Sequence, residues 1–310
     1  MVVILGYRIY EDIGDVPVDL TGRVAIKLHM GELGNPNHIQ PDEVGKMADK
    51  IRENGGEPFL VDTTTLYKKG RFTKRGYEEL AKRHGFGRFE VVIASDDEWK
   101  DVDGIRIAKP IAEADALLLL SHVTGHILTG LGAAIKNLAM GCVVKESKRM
   151  IHSHMRPVYD ERLCTGCGSC VHACPNGCLM FGRKVILDTR DCPACGRCIG
   201  ACTTGAMRRP PKAEIHGFRA FALAARAVAG QFRNGNMLCV NSLNKVTERC
   251  DCSSNSPRVS KDMGYICGSD PLSIDLETAR LLREAKARIK WDTWDKFSRI
   301  SRAVFSQHPT

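Results

Sequence analysis

The spacing of the cysteines constrains this chain more than any other feature of its sequence. Nine of the fourteen cysteines lie between residues 164 and 202, and eight of them form two runs with the pattern C-x-x-C-x-x-C-x-x-x-C. The first run is Cys164, Cys167, Cys170 and Cys174, and the second run is Cys192, Cys195, Cys198 and Cys202. Nothing in the sequence indicates secretion, so disulfides are not expected. Clustered cysteines in a reducing compartment predict bound metal.

The pattern indicates 4Fe-4S clusters, because zinc sites usually pair two C-x-x-C units across a longer gap. Gly166, Gly168 and Gly196 allow the tight turns that fold three cysteines around one face of a cluster. The fourth cysteine of each run is expected to begin a helix and to bind the other cluster. The predicted ligands are Cys164, Cys167, Cys170 and Cys202 for the first cluster, and Cys192, Cys195, Cys198 and Cys174 for the second. The additional Cys178 is expected to pack against a cluster. This segment resembles the bacterial-type ferredoxins with two clusters.

The remainder of the chain reads as strands that alternate with helices. Largely apolar runs at residues 23–28, 58–61, 90–93 and 116–120 are typical of a parallel sheet that is buried on both faces. We therefore predict an α/β fold, with a mostly parallel sheet covered by helices and an inserted ferredoxin-like module with two clusters. The predicted domains are the first part of the α/β core (1–155), the module (156–211) and the second part of the core with terminal helices (212–310). Residues 1–7 are predicted to form a first strand.

Charge and hydropathy limit the partners that we expect. The formal net charge of +9 falls to about +5 when two clusters of about −2 each are included. Aromatic residues make up only 6% of the chain, which argues against a nucleic-acid surface. An acidic redox partner protein fits the basic balance better. No apolar run approaches the roughly 20 residues of a membrane span, so we expect no membrane partner and a cytoplasmic location.

A C-x-C pair outside the module is the first candidate for a site on the core. If Cys250 and Cys252 lie on a strand, alternation points both sulfurs to the same side, which suits a shared metal. We predict a third metal or iron–sulfur site there, with Cys142 as a further candidate ligand. The alternative interpretation for Cys142, Cys239 and Cys267 is that they are small buried apolar residues.

Histidine and lysine form a second candidate group. His126 follows the apolar run that ends at residue 120, Lys136 follows ten residues later, and His152 comes sixteen residues after that. Ligands bind beyond the carboxyl ends of the strands in open parallel sheets, so these side chains are placed to transfer protons or to bind an anion. His126, Lys136 and His152 are therefore the candidate catalytic residues.

Four further segments resemble the domain-of-unknown-function 362 family. They are KPIAEAD at residues 109–115, GAAIKN at 132–137, CDC at 250–252 and SDPLSID at 269–275. The resemblance implies that a shared site lies near Lys136, Asn137, Cys250, Cys252, Asp270 and Asp275. A more distant similarity is to the nickel-pincer lactate racemase family, in which a histidine, a lysine and a second histidine occur in the order of His126, Lys136 and His152. The flanking sequences depart from the racemase pattern.

The function predicted from the sequence is an iron–sulfur oxidoreductase. In this hypothesis two 4Fe-4S clusters relay electrons to a site on the α/β core, where an unknown small-molecule substrate reacts. The alternatives are a non-catalytic electron-transfer protein and a metal-dependent isomerase related to lactate racemase. A carrier has no need of a C-x-C pair beside a histidine and lysine group. An iron content of about twelve per chain instead of about eight would indicate a third cluster.

Overall fold

The computed structural model describes residues 7–253 and 256–307. The strand predicted at residues 1–7 lies outside this part of the chain, apart from Tyr7. The strands are β1 (Tyr7–Tyr10), β2 (Arg23–Lys27), β3 (Glu57–Thr63), β4 (Val91–Ala94), β5 (Trp99–Val102), β6 (Ile105–Ala108), β7 (Ala116–His126), β8 (Gly130–Gly132), β9 (Val158–Tyr159), β10 (Leu179–Phe181), β11 (Val185–Leu187), β12 (Met207–Arg208), β13 (Met237–Thr247) and β14 (Tyr265–Gly268). The α-helices are α1 (Pro41–Glu53), α2 (Lys74–Arg83), α3 (Lys109–Ala112), α4 (Ala134–Gly141), α5 (Lys145–Ser153), α6 (Ser169–His172), α7 (Arg197–Gly200), α8 (Ala213–Ala229), α9 (Pro271–Glu284) and α10 (Trp291–Ser306).

A central sheet organises the core, with the strand order β1-β14-β13-β7-β2-β3-β4. Neighbours among β13, β7, β2, β3 and β4 are parallel, whereas β14 and β1 extend one edge in antiparallel fashion. The short β8 folds back on the end of β7. The predicted α/β class with a mostly parallel sheet is confirmed. No helix in the described ranges is long and apolar enough to cross a membrane.

Both faces of the sheet are covered, which explains the largely apolar runs. In β7, Leu117 and Leu119 belong to one apolar cluster, and Leu118 and Leu120 belong to the cluster on the opposite face. This alternation follows from the two-residue period of a strand. The first cluster includes buried residues of α4, α8, α9 and α10, and the second includes those of α1 and α2.

Two elements differ from their predicted lengths. The strand predicted at residues 116–120 continues to His126, because its polar end pairs with β13 and β8. The helix predicted at residues 273–290 ends at Glu284, and Lys286 just beyond it has a positive φ of 54° that an α-helix cannot accommodate. The longer β7 matters for function, because it carries two histidines to the edge of the sheet.

The cysteine-rich segment folds around its own small apolar cluster. That cluster consists of Cys170, Leu179, Val185, Cys198 and Met207. The strands at the two ends of the segment, β9 and β12, pair in antiparallel fashion and hold its entry and exit together. The domain boundaries themselves stay a prediction.

The expected helices at the fourth cysteines were placed wrongly. The short helices α6 and α7 contain the third cysteine of each run and end before the fourth. In the first run the reason is Pro175, which disfavours a helical conformation for the preceding Cys174.

Gly130 gives a test of how β8 packs on α10. Its φ is +75°, and a Cβ atom there would overlap the backbone nitrogen of Trp294. Gly104 has a similar φ of +79° with nothing within 4 Å, so it is a matched control. Both alanine variants carry the left-handed strain of about 1–2 kcal/mol. We expect Gly130→Ala to lose a further 1–3 kcal/mol or so from steric overlap. Chemical denaturation measures both, and equal losses would contradict the packing.

Candidate functional site

The cysteine-rich segment encloses two cavities, each lined by four cysteines of the two runs. One cavity, called the outer cavity here, is lined by Cys164, Cys167, Cys170 and Cys202. The other, called the inner cavity, is lined by Cys174, Cys192, Cys195 and Cys198. Each cavity therefore takes three cysteines from one run and the fourth from the other. The four cysteines of each cavity are those that the spacing assigns to one cluster, and their role as ligands stays a prediction.

The chemistry of the cavities fits a cluster of metal atoms. All the cysteines are free, and backbone N–H groups donate to three of the sulfurs: Gly166 to Cys164 (3.4 Å), Cys178 to Cys174 (3.2 Å) and Met207 to Cys202 (3.4 Å). Such hydrogen bonds stabilise thiolate charge. Gly166, Gly168 and Gly196 have φ near +75°, as the tight turns require.

A single ion fits less well than a cluster. In residues 7–253 and 256–307, no three His, Cys, Asp or Glu side chains converge closely enough to hold one metal ion. The four thiolates around a 4Fe-4S cluster each bind a different iron, so they have no need to converge. Cys178 also lines the inner cavity, and burial raises the pKa of its thiol to about 12. It therefore stays a neutral thiol that packs against the cavity.

The two cavities differ in their surroundings. Cys167 in the outer cavity is exposed, and Phe181 beside Gly168 is 59% exposed. The inner cavity faces the core instead. Asn176, two residues after Cys174, donates a hydrogen bond to the carbonyl of Leu66 at 3.2 Å. The segment thus presents one cavity to solvent and the other to the α/β core.

A second group of functional side chains lies where the parallel strands of the core end. Loops after β2 and β3, the end of β7, the loop after β13, and helices α4 and α5 each contribute residues. They are His29, Glu32, Tyr67, Arg71, His126, Lys136, His152, Cys250, Asp251 and Cys252. Parallel strands place their carboxyl ends at one edge, so residues far apart in sequence meet there. We refer to this group as the core site.

The C-x-C pair lies in a turn, and the strand predicted for it was wrong. β13 ends at Thr247, and the N–H of Ser253 donates to the carbonyl of Cys250 at 2.9 Å. That bond closes a β-turn in which Cys250 and Cys252 are the first and third residues. The two thiols are still brought together, because each alters the pKa of the other by hydrogen bonding.

The residue between the two cysteines is anchored to β7. Both carboxylate oxygens of Asp251 lie 2.9 Å from Nδ1 of His122, and Asn35 donates to one of them at 3.2 Å. The other ring nitrogen of His122 donates to the carbonyls of Asn244 (3.1 Å) and Lys245 (3.2 Å). Burial opposes ionisation of both groups, but the facing charges outweigh it. The pKa of His122 is raised and that of Asp251 is lowered, which makes them an ion pair.

Cys252 lies among positive groups. Nη2 of Arg71 is 3.7 Å from its sulfur, and Nζ of Lys69 donates to its carbonyl at 3.3 Å. Its pKa is lowered well below the usual value, mainly by a hydrogen bond from the Cys250 thiol and then by His29 and Lys136. The pKa of Cys250 is raised in turn by the same hydrogen bond. The pair therefore consists of a thiolate at Cys252 and a thiol at Cys250.

The candidate catalytic residues meet in the core site. Burial lowers the pKa of His126 to about 3 and that of His152 to about 4, and the charge of Lys136 acts on both. Both imidazoles are therefore neutral at physiological pH. Nδ1 of His126 accepts the N–H of Thr129 at 3.2 Å, so its proton is on Nε2. Neutral imidazoles beside an ammonium group can accept or relay protons.

Cys142 lies apart from the C-x-C pair. It is fully buried in the apolar cluster that packs α4 on the sheet, and its thiol donates to the carbonyl of Asn137 at 3.7 Å. Burial raises its pKa to about 12. Its surroundings match the alternative interpretation of a small buried apolar residue.

A buried network of charges beneath the core site was missed in the sequence. Nζ of Lys27 lies 2.9 Å from Asp62 and donates to Oδ1 of Asn137 at 2.7 Å. Arg71 pairs with Glu32 at 3.3 Å, and Tyr77 donates to Asp62. The available signal was a charged residue inside an apolar strand, at Lys27 in β2 and at Asp62 in β3.

The residues implied by the family resemblance separate into two sets. Lys136, Cys250 and Cys252 lie in the core site, and Asn137 lies in the network beneath it. Asp275 is buried and accepts the N–H groups of Ala134 and Ile135, both at 2.9 Å, at the start of α4. It thereby holds the helix that carries Lys136. Asp270 caps α9, and its hydrogen bonds in the described residues go to Leu272 and Ser273.

Comparison with known proteins identifies the family. The family model described as "Domain of unknown function (DUF362)" matches residues 24–280. The chain belongs to the DUF362 family. The resemblance stated from the sequence is thus confirmed, and in this DUF362 protein the matched region includes both the cysteine-rich segment and the core site.

Other comparisons add little. The search of curated proteins found no match. Among solved structures, the lactate racemase apoprotein from Thermoanaerobacterium thermosaccharolyticum is similar, with a TM-score of 0.44 and 11% sequence identity. The alignment covers 91% of the DUF362 chain and 58% of the racemase chain.

His122→Asn tests the anchor of the C-x-C turn. The change leaves the buried Asp251 carboxylate without its cation, which typically costs about 3–5 kcal/mol. We expect faster hydrogen exchange at residues 250–252 and lower stability. Asp251→Asn removes the charge on the other side, so the double variant should cost less than the sum of the two single variants. Additive losses would contradict a coupled pair.

Lys148→Met tests a buried amine beside the network. Its Nζ donates to Oγ1 of Thr63 at 2.6 Å, and burial lowers its pKa to about 7. Above pH 7 the folded protein releases this proton, whereas the unfolded chain keeps it up to a pKa of about 10.4. As the pH rises above 7, the free energy of unfolding of the wild type should therefore increase relative to that of the variant, by up to about 1.4 kcal/mol per pH unit. Denaturation at pH 7 and pH 9 measures this. The same pH dependence in both proteins would contradict it.

Proposed function

We propose that this protein is an iron–sulfur oxidoreductase. In this proposal residues 156–211 bind two 4Fe-4S clusters, and a small-molecule substrate reacts at the core site. The observation that carries the proposal is the pair of cavities, each lined by three cysteines of one run and the fourth of the other. When bound, the clusters would supply single electrons to the core site.

The chain's own residues give this relay a direction. A redox partner protein would dock at the outer cavity, where Cys167 and Phe181 are exposed. The inner cavity is tied to the core through Asn176, which bonds to Leu66, and through the ion pair of Arg149 with Asp191 at 3.0 Å. An acidic partner would suit the net positive charge of the chain.

The core site supplies the groups that a reduction requires. Lys136 can hold a negatively charged substrate and can also donate a proton to it. The neutral His126 and His152 can relay protons without introducing charge into a buried site. A carrier that only docks partners has no need of these groups, so the core site favours an enzyme.

Anaerobic metal analysis tests the proposal. The reconstituted wild type should contain about eight irons and eight sulfides per chain. Cys192→Ala with Cys195→Ala should lose about half of both, because it removes two ligands of the inner cavity. Cys178→Ala is the matched control, since it removes a cysteine of the same cavity that is not in the ligand set, and it should keep the full content.

Other metal contents would point to other functions. Zinc without sulfide in the cysteine-rich segment would contradict the proposal. Nickel at the core site would support the isomerase alternative. An iron count of about twelve that falls to about eight in Cys250→Ala with Cys252→Ala would show a third cluster at the C-x-C pair.

A further inference from the structure

We propose that Cys250 and Cys252 are a redox-active dithiol that reduces a small anionic disulfide at the core site. This inference rests on the proposed function for its supply of electrons, and it assigns the C-x-C pair a role other than binding a third cluster. It is argued from the shape of the turn, the groups around each sulfur, and the connection to the inner cavity.

The turn geometry suits an internal disulfide. The bond from Ser253 N–H to the Cys250 carbonyl (2.9 Å) closes the turn, so the two cysteines are separated by one residue on a tight bend. Two such Cα atoms fall within the span of about 4.4–6.8 Å that a disulfide needs. Hydrogen bonds from His122 and Asn35 hold the carboxylate of Asp251 in place. The backbone is therefore fixed while the side chains of the two cysteines remain near each other.

The described residues do not complete a metal site around the pair. A cluster of the usual kind needs further thiolates, and the other cysteines outside the module are Cys142, Cys239 and Cys267. All three are buried in the apolar clusters of the core. Within residues 7–253 and 256–307 the pair therefore has no third cysteine beside it, which favours a dithiol.

The two sulfurs are placed for different roles. The guanidinium of Arg71 contacts the Cys252 sulfur (3.7 Å) and stabilises negative charge there, so Cys252 is the attacking thiolate. No cation makes a hydrogen bond to the Cys250 sulfur within residues 7–253 and 256–307, so Cys250 acts second. Lys136 and Lys69 place further positive charge around the pair. A substrate disulfide with carboxylate groups fits these charges.

The reaction balances as two thiol–disulfide exchanges. The Cys252 thiolate attacks one sulfur of the substrate disulfide, forms a mixed disulfide and releases one substrate thiolate. Cys250 gives up its proton and attacks the Cys252 sulfur, which forms the Cys250–Cys252 disulfide and releases the second substrate thiolate. The proton from Cys250 and one proton from solvent leave both products as thiols. Two electrons and one proton then restore the Cys252 thiolate and the Cys250 thiol.

The module can hold the two electrons that this reaction needs, and its inner cavity is connected to the dithiol. Two clusters that each carry one electron hold the two electrons that one disulfide requires. From Cys174 of the inner cavity the chain runs to Asn176, whose hydrogen bond reaches Leu66 (3.2 Å), and the next residue is Tyr67. Tyr67 lies beside Cys252, because Nη2 of Arg71 donates to the Tyr67 hydroxyl and also lies 3.7 Å from the Cys252 sulfur. Short covalent and hydrogen-bonded steps therefore connect the inner cavity to the dithiol.

The first experiment uses the holoprotein with its dithiol reduced and its clusters oxidised, and the dianionic disulfide dithiobis(nitrobenzoate), under anaerobic conditions. Wild type should rapidly release two equivalents of thionitrobenzoate per chain and should end with a Cys250–Cys252 disulfide, identified by peptide mass spectrometry. Cys250→Ser should release one equivalent and keep the other as a mixed disulfide on Cys252. Cys252→Ser should lose the rapid phase. Cys239→Ser is the matched control at a buried cysteine and should behave as wild type.

A second experiment tests the charge preference and the electron supply. The cationic disulfide cystamine should react at least tenfold more slowly than the dianion, and Lys136→Gln should narrow that difference. Reduced methyl viologen should restore the dithiol in the oxidised holoprotein. It should act at least tenfold more slowly in Cys192→Ala with Cys195→Ala, which lacks ligands of the inner cavity.

Different outcomes overturn different parts. A rapid release that is unchanged in Cys252→Ser would overturn the dithiol, as would an iron content that falls by about four in Cys250→Ser. Equal rates of reduction by methyl viologen with and without the inner ligands would overturn the electron route. A protein without bound iron and sulfide would overturn the proposed function, whereas the reaction of the C-x-C pair with disulfides would still be decided by the serine variants.

Discussion

The ion pair between Lys27 and Asp62 is the interaction on which the core site rests. It joins neighbouring parallel strands at the point where they end, and Nζ of Lys27 also binds Asn137 in α4. A buried pair is costly to desolvate, and it is offset here by further hydrogen bonds from Tyr77 and from the N–H of Thr63. The buried network therefore holds two strands and a helix together beneath the reactive side chains of the core site.

Charge balance in this buried network explains why the cation Arg71 lies beside Cys252. Arg71 is buried between Glu32 and Asp62, and the same guanidinium reaches the Cys252 sulfur. A buried thiolate without a cation would be protonated, because burial favours the neutral form. Glu32 and Asp62 hold Arg71 in place independently of the cysteine, so the positive group is present before any substrate binds. Such a preorganised charge loses no free energy to rearrangement during reaction.

The sequence predicted local features well and long-range contacts poorly. The cysteine spacing predicted which three cysteines of each run line the same cavity, because they lie a few residues apart in the chain. The fourth cysteine comes from the other run, and the two-cluster ferredoxin pattern indicated it. Apolar runs predicted the parallel sheet, because strands that are buried on both faces lack polar alternation. By contrast, the anchor between His122 and Asp251 spans 129 residues, and the pair of Lys27 with Asn137 spans 110. A charge inside an apolar strand marks Lys27, but nothing local indicates its partner, and neither His122 nor Asp251 has a local signature. The C-x-C turn was mistaken for a strand because β13 continues, with polar residues, almost to Cys250.

The placement of the two cavities favours the proposed electron relay over a protein that only carries electrons. A protein that only carries electrons gains from exposing its clusters to successive partners. In this chain the inner cavity is turned toward the core and is connected to Leu66 by a side chain of the module itself. The loop that receives this contact continues through Tyr67 to Arg71, so it belongs to both the module contact and the core site. The loop therefore links the contact with the cysteine-rich segment to the residues around Cys252, as the proposed relay requires.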